Sequence, residues 1–271
     1  MGKIGVAQMV STVNVEKNLQ KVEDFFHIAK TEAVDLILLP ENFAFMGLKE
    51  TDKFTVAESY GSGPIQDKIK DLAAKFGIWV IAGTIPIKTA SERVNASCLV
   101  YDHRGDCVAR YNKIHLFDVT VSEKESHQES LTVEPGNEVV VVDTPVGKIG
   151  LSVCYDLRFP ELYQQLVIKG AEILSVPSAF TAITGIAHWE VLLRARAIEN
   201  LCYVLAPNQG GVHENGRHTY GHSMIVEPWG KVVMEKENGT GILIADIDLE
   251  RLHRLRKDFP CNNHHKFRIA I

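Results

Sequence analysis

Two stretches of this chain carry the same succession of hydrophobic patterns, and that duplication restricts the fold more than any other feature. In the first stretch Lys3–Gln8 reads as a short strand, and Val15–Thr31 sets Leu19, Val22, Phe25, Phe26 and Ala29 at helical spacing. Asp35–Leu39 is a continuous apolar run of buried-strand length, ended by Pro40. A helix over Ile65–Phe76, a strand over Trp79–Ile85 and a hairpin follow, the hairpin joining Ala96–Tyr101 to Cys107–Tyr111 through His103-Arg104-Gly105-Asp106. The second stretch repeats the order. Lys148-Ile149-Gly150-Leu151 parallels Lys3-Ile4-Gly5-Val6, Glu161–Lys169 reads as a helix and Glu172–Val176 as a strand. Pro177-Ser178-Ala179-Phe180 then parallels Pro40-Glu41-Asn42-Phe43. A helix over His188–Asn200, a strand over Cys202–Ala206 and a hairpin of Gly221–Glu227 with Lys231–Glu235 complete the unit. Asp248–Lys257 adds a helix with Asp248 as its N-cap.

Alternating strands and helices bury themselves as α/β layers, so two such units predict two sheets packed face to face with helices on their outer faces. No Pro/Gly/Ser-rich linker separates the halves, and Leu131–Asn137 reads as a loop. The expectation is therefore one domain over residues 1–271 built from two half-units. A chain of 271 residues buries roughly 70–75% of its unfolded surface, so no disulfide or metal is needed to hold a core.

Composition excludes several classes. The net charge of −5 offers little to release counterions from a phosphate backbone, which argues against a nucleic-acid partner. Apolar runs such as Leu36–Pro40 and Val139–Val142 fall far short of the ~20 residues a membrane-spanning helix needs. Met1–Val10 runs into a strand pattern without a small-residue cleavage site, so no secretory signal is expected. Cys98, Cys107, Cys154, Cys202 and Cys261 are scattered, odd in number and lack CxxC spacing, which reads as free thiols in the reducing cytoplasm. The 11 histidines show neither HExxH nor CxxC…H spacing, so neither a metal nor another cofactor is expected.

Three residues beside strand ends can carry chemistry. Cys154 follows the apolar run Lys148–Val153 and precedes a helix, the end of an open α/β sheet where sites form. A thiol there either packs as a buried hydrophobe or serves as a nucleophile near backbone N–H groups. Glu41 holds the matching place in the first half; it is either a surface glutamate or a desolvated general base whose pKa rises. Lys113, within Tyr111-Asn112-Lys113-Ile114-His115-Leu116-Phe117, either snorkels to solvent or supplies a cation to a site. Arg158 could grip a substrate carboxylate with its fork, or pair with Asp156 or Glu161.

The phrases around the three residues resemble the nitrilase superfamily of carbon–nitrogen hydrolases: Leu38-Leu39-Pro40-Glu41-Asn42, Tyr111 to Phe117, and Cys154-Tyr155-Asp156-Leu157-Arg158-Phe159-Pro160-Glu161. The resemblance covers essentially the whole chain and implies a four-layer α-β-β-α sandwich. Within the superfamily the chain is similar to the Nit subgroup, the amidases of deaminated glutathione. Pro177-Ser178-Ala179-Phe180, Thr184-Gly185, Ala187 to Ala197, Tyr220 to Met224 and Pro228-Trp229-Gly230 carry this likeness. The implied reaction is hydrolysis of a small carboxylate-bearing amide to 2-oxoglutarate and cysteinylglycine. In it Glu41 is the base, Cys154 the nucleophile that forms a thioester, and Lys113 with the Tyr155 N–H the oxyanion donors. Glu129 is implied to orient Lys113 and substrate, a role its acidic loop does not reveal. Arg158 is implied to hold the substrate acid group, with Phe180 and Thr184 lining the same pocket.

The omega-amidases of 2-oxoglutaramate share many of these phrases, so that substrate or another acid amide is the alternative. Ile186 stands where relatives often carry Pro, a departure expected to act on the loop bearing Thr184. The resemblance implies a homodimer or higher homo-oligomer, with Arg194, Arg196 and Glu199 in a helix–helix contact. A non-enzymatic binding or scaffold protein of the same fold is the alternative of a different class.

Overall fold

The computed structural model describes residues 2–123 and 125–266, with two six-stranded sheets at its centre. The first half runs β1 (Gly2–Gln8), α1 (Val15–Thr31), β2 (Leu36–Leu38), α2 (Pro64–Phe76), β3 (Trp79–Lys88), β4 (Val94–Tyr101) and β5 (Cys107–Asn112). A small hairpin, β6 (Asp118–Ser122) and β7 (Glu125–Gln128), leads to β8 (Val141–Thr144), β9 (Gly147–Leu151), α3 (Pro160–Ile168), β10 (Ile173–Ser175) and α4 (Ala182–Asn200). Then come β11 (Tyr203–Ala206), a hairpin of β12 (Gly210–Val212) and β13 (His218–Tyr220), β14 (Ser223–Val226), β15 (Val232–Lys236), β16 (Gly241–Ile247) and α5 (Leu249–Asp258).

The two sheets, β16-β1-β2-β3-β4-β5 and β8-β9-β10-β11-β14-β15, follow one plan. Each has three parallel strands, an antiparallel hairpin on one side and a single antiparallel strand on the other. The expected sandwich of two half-units is thus the observed one. Its edges differ in origin. β8 directly precedes β9, whereas the matching place beside β1 is taken by β16 from the other end of the sequence, with Gly2 to Gln8 paired against Ile247 to Gly241.

Side-chain alternation fixes which face of each strand meets which layer. Ile4, Val6, Leu36, Leu38, Ile81, Cys98 and Val100 point toward the second sheet and join its Ile149, Leu151, Ile173 and Val204 in one core. The intervening Ala7, Ile37, Leu39, Val80, Ala82 and Leu99 face outward onto Val22, Phe25, Phe26, Ile69 and Leu72 of α1 and α2. Burying each such Leu, Ile or Phe contributes about 1.5–3 kcal/mol relative to exposure, so a one-residue slip of any central strand would be heavily penalised. Among the described residues no helix is long and apolar enough to cross a membrane.

Helix ends follow local chemistry. Asn14 caps α1 by accepting from Lys17 N, α2 starts at Pro64 and stops at the left-handed Gly77, and Asp248 caps α5 by accepting from Arg251 N. α4 departs from expectation: it begins at Ala182, not His188, because the Thr181 side chain accepts from Thr184 N and starts the helix early. Thr184 and Gly185-Ile186-Ala187 therefore sit in its first turns and not on a loop. Glycine and β-branched residues are poor helix formers, so the early turns left no clear signal. Packing decides them, since a Cβ on Gly185 would fall 2.1 Å from the Tyr220 ring on β13. Arg196 also differs from expectation. It is buried within the chain, where Nε and Nη2 donate to Leu157 O at 3.1 and 2.8 Å.

Candidate active site

Strand ends from both sheets converge on one pocket of about 880 Å³, its open mouth included. Glu41 enters from the turn after β2, Lys113 directly after β5, Glu129 after β7 and Cys154 after β9. The Glu41 turn is tight. Asn42 takes φ 58°, a left-handed value asparagine tolerates better than most residues, and its N–H donates to Thr84 Oγ1 at 2.9 Å. β3 can press against this turn only because residue 83 is glycine, where a Cβ would lie 1.9 Å from Pro40 O. Cys154 likewise has φ 49°, a conformation that costs a non-glycine residue about 1–2 kcal/mol. The strain is held by the Cys154 N–H donating to Pro177 O at 2.9 Å and by the helical turn Cys154–Arg158 that follows.

Lys113 is the hub. Its ammonium, 2% exposed, donates to Glu41 Oε1 at 2.9 Å and to Glu129 Oε1 and Oε2 at 3.0 and 2.8 Å. Neither a snorkelling lysine nor a surface glutamate fits this arrangement. Burial pulls the lysine pKa down, but the charges of Glu129 and Glu41 overturn that pull and hold it well above the ordinary value. For Glu41 burial pushes the pKa up, yet Lys113 outweighs it, with help from Cys154 and Arg217, and the carboxyl lies below the ordinary 4.5. This corrects the expectation that desolvation would raise Glu41, because a buried ammonium at bonding distance counts for more than lost water. Burial pushes the Cys154 thiol well above its ordinary value, and the Glu41 charge adds to the rise against the opposing Lys113. The site therefore holds a neutral thiol beside an ionised carboxylate.

Cys98 and Cys202 are pushed up by burial too, Cys202 to about 12, so burial alone does not distinguish Cys154. What sets it apart is its place in the pocket wall with Glu41 and Lys113. Two buried braces fix that place. Asp156 accepts from Val153 N at 2.8 Å and Tyr111 Oη at 2.7 Å, and its other oxygen meets His115 N and Nδ1 at 3.0 and 2.7 Å. It thereby ties the cysteine turn to the segment on both sides of Lys113. Gln209 accepts from Ser11 N at 3.0 Å while its amide donates to Ser11 Oγ at 2.8 Å and Glu41 O at 2.9 Å, tying the second half to the Glu41 turn. Ala179 N donates to Glu41 Oε2 at 2.9 Å and orients the carboxylate.

Tyr155, Phe180 and Thr184 line the same pocket. Arg158 is not among its lining residues, nor does it pair with Asp156 or Glu161. Its guanidinium stacks 5.2 Å from the Phe180 ring and 5.8 Å from Tyr155, and Nη1 meets His188 Nδ1 at 3.2 Å. These are cation–π contacts to two residues of the pocket wall. Sequence reasoning missed Glu50, Lys53, His127 and Arg217, which also line the pocket. Glu50 and Lys53 lie on a short 3-10 helix over Glu50–Val56, His127 on the β6–β7 hairpin and Arg217 in the turn between β12 and β13, segments whose polar patterns give no periodicity to read. The braces were missed as well; the one local hint was Asp156 three residues after Val153, where a carboxylate caps the following turn. Among the described residues no group of three or more His, Cys, Asp or Glu is arranged to hold a metal ion.

The family model described as carbon-nitrogen hydrolase matches residues 3–257. The chain is 44% identical over 272 residues to the deaminated glutathione amidase of Dictyostelium discoideum, covering 97% of this chain and 94% of that protein. The crystal structure of the Caenorhabditis elegans NitFhit protein superposes with a TM-score of 0.90 at 40% identity; the match covers 98% of this chain and 65% of that one. Saccharomyces cerevisiae Nit3, a member of branch 10 of the nitrilase superfamily, superposes with a TM-score of 0.88 at 30% identity over 98% and 97% of the two chains.

Proposed function

Because the chain belongs to the carbon–nitrogen hydrolase family and is a hydrolase acting on an amide, we propose that it cleaves deaminated glutathione through a thioester on Cys154. The observation that carries this reading is the buried Glu41–Lys113–Glu129 cluster beside Cys154 in a single pocket. The reaction runs in two halves. Glu41 takes the proton of the Cys154 thiol as Sγ attacks the amide carbonyl, and the carbonyl electrons move to oxygen. With the thiol held high and the carboxylate low, full proton transfer before attack is uphill, so transfer and attack proceed together. The oxyanion meets the Lys113 ammonium, which exchanges one of its two Glu129 contacts, and the N–H of Tyr155. Collapse breaks the C–N bond, Glu41 returns the proton to the leaving amine, and cysteinylglycine departs. Water then attacks the thioester, Glu41 accepts its proton, and the thiolate leaves and is reprotonated by Glu41, releasing 2-oxoglutarate.

Glu129 keeps the ammonium aimed, and the walls of Phe180, Tyr155 and Thr184 suit a short acyl chain. The catalytic set makes the scaffold alternative redundant, since scaffolding requires none of it. A single domain over 1–271 belongs to the same reading, supported by the core shared between the sheets. Exposed Ile183, Ile186, Val191 and Ile198 along α4 support a homodimer or higher homo-oligomer. Thiols left unpaired at all five cysteines support a cytoplasmic setting.

Parallel measurement of kcat/KM on deaminated glutathione and 2-oxoglutaramate, with product identification, tests the substrate. The expected result is a higher value on deaminated glutathione, with 2-oxoglutarate and cysteinylglycine released; a higher value on 2-oxoglutaramate makes the chain an omega-amidase instead. The pH profile tests the base. Glu41 must be ionised and its pKa is lowered, so activity is lost only as pH falls below the ordinary 4.5. Cys154 must carry its proton and its pKa is raised, so the alkaline limb lies above the ordinary 9.0. kcat/KM on deaminated glutathione is expected to be flat from about pH 5 to about pH 8, and an acid limb near pH 6–7 contradicts the assignment.

A further inference from the structure

Lys53 and Lys113 both line the pocket, and their ion pairs differ in character. The Lys113–Glu41 pair is closed off from solvent, its side chains 2% and 6% exposed. The Lys53–Glu50 pair, 2.8 Å between nitrogen and oxygen, opens to solvent: the lysine side chain is 21% exposed and the glutamate 51%. An ion pair in contact with water holds its partners weakly, because each charge is well solvated alone. Lys53 also has an uncharged partner, donating to Thr132 Oγ1 at 3.1 Å. An ammonium carries three N–H donors, and the third has no partner among the described residues.

Lys53 is held in place without Glu50. The 3-10 helix that carries it is fixed at its start by Lys49 N donating to Asp52 Oδ2 at 2.9 Å, and the approach to it by Asn215 Nδ2 donating to Gly47 O at 2.8 Å. Thr132 is itself buried, and its N and Oγ1 donate to Glu129 O at 3.0 and 3.3 Å. Glu129 holds Lys113 through its carboxylate, so one short segment joins the two lysines. Thr132 stands one 3-10 turn from Glu129, about 6 Å along the chain. Glu50 does not depend on Lys53 alone either. Burial pushes its pKa up, but Lys53 outweighs this with help from Arg217 and His127, and the carboxyl lies below the ordinary 4.5. Released by Lys53, it remains an anion in contact with water and in the field of Arg217.

We propose that Lys53 determines leaving-group specificity, exchanging Glu50 for the free carboxylate of a short peptide whose amino nitrogen is the scissile one. The assignment rests on the amidase reading above and specifies its substrate class: amides of a carboxylate-terminated dipeptide, in preference to primary amides. The reach agrees. Two residues span about 7 Å from their first nitrogen to the terminal carboxylate, against about 6 Å from Glu129 to Thr132. Tyr155, Phe180 and Thr184 are left to the acyl part, since Lys53 bonds to none of them. A primary amide releases ammonia, leaves the Lys53–Glu50 pair as it is and gains nothing from it.

The test compares the wild-type enzyme with Lys53→Met and Glu50→Gln on deaminated glutathione and on its analogue with the glycine carboxylate replaced by a carboxamide. In Lys53→Met the ratio of kcat/KM for the acid to that for the carboxamide is expected to fall about tenfold, the size expected for losing one charge-assisted hydrogen bond. The fall lies in KM and not in kcat, because the contact is far from the reacting atoms. Glu50→Gln is expected to move the same ratio the other way, by about two- to fivefold, because the competing carboxylate is gone. An unchanged ratio in Lys53→Met, or equal losses on both substrates, overturns the role, and so does a lower ratio in Glu50→Gln. Calorimetric binding of the two compounds to Cys154→Ala and to Cys154→Ala/Lys53→Met separates this inference from the reaction. Affinity for the acid is expected to drop about tenfold in the double variant relative to the carboxamide, even if turnover proves to follow another route. Equal drops for the two compounds, or none, refute the leaving-group site.

Discussion

Replacing Cys154 with alanine is expected to reduce hydrolysis of deaminated glutathione by at least about 10⁴-fold while leaving the fold in place, as removal of a nucleophile does where the other groups act only with it. The chemistry has no substitute for the sulfur. Thr84, Thr181 and Thr184 also line the pocket, but the Thr84 hydroxyl is bonded to Asn42 and those of Thr181 and Thr184 to each other, with Thr184 Oγ1 also donating to Thr181 O. The fold has no comparable need for it. Alanine retains the Cβ, bears the same left-handed strain at φ 49°, and leaves the bond from residue 154 N to Pro177 O untouched. A melting temperature within a few degrees of wild type, together with loss of the acyl-enzyme mass seen on quenching, is the expected pair of results. Full turnover by the variant would remove Cys154 from the mechanism.

Replacing Lys113 with methionine should instead damage both activity and stability. The shape is nearly conserved, but Glu41 and Glu129 lose the ammonium that bridges them. Leaving a buried charge uncompensated costs about 3–5 kcal/mol, equivalent to lowering the melting temperature by roughly 10 °C in a chain of this size. The pH dependence gives a sharper signature. In the wild type Glu41 lies below 4.5, so its contribution is present above that value and is lost as pH falls through its folded pKa. Lys113 lies well above 10.5, so its contribution is present below that value and is lost only as pH rises through its folded pKa. The wild-type cluster is therefore insensitive between those limits. Without the lysine, burial controls Glu41 and raises its pKa; stability is then greatest below 4.5 and declines as pH rises through the new value. Lys113→Met should melt higher at pH 5 than at pH 7, and Lys113→Met/Glu41→Gln should recover part of the loss at pH 7. A single variant as stable as wild type, or one that melts lower at pH 5, would show that the cluster is not electrostatically balanced as described.

Both predictions depend on residues that could be read from the sequence in different degrees. Cys154, Glu41 and Lys113 stand beside strand ends in three separated phrases, and position alone marked them as candidates without choosing between site and core. Glu129 could not be found from its own surroundings, because an acid among Glu123, Glu125 and Glu134 carries no periodic or capping signal. Its role depends on the β6–β7 hairpin, which brings it within 2.8 Å of Lys113 and 2.7 Å of Phe117 N. Arg158 looked suited to bind an acid because of its guanidinium fork and the role that the resemblance implies. At the end of the turn Cys154–Arg158 its guanidinium lies over the Phe180 ring.

The sequence by itself determined the architecture: apolar periodicity with period 2 and near 3.6, repeated in the same order, leaves little choice but two layered α/β units. It also marked Cys154, Glu41 and Lys113 as candidates, because each lies next to the strand that positions it. What only the tertiary structure decided involves partners far apart in the chain. β16 completes the sheet that β1 begins, Gln209 braces Glu41, and Arg217 enters a pocket whose other charges come from the first half and the middle of the chain. The sign of the Glu41 shift belongs to this group as well. Burial can be guessed from an apolar strand, but an ammonium 2.9 Å away, seventy-two positions along the chain, exists only once the halves have closed around it.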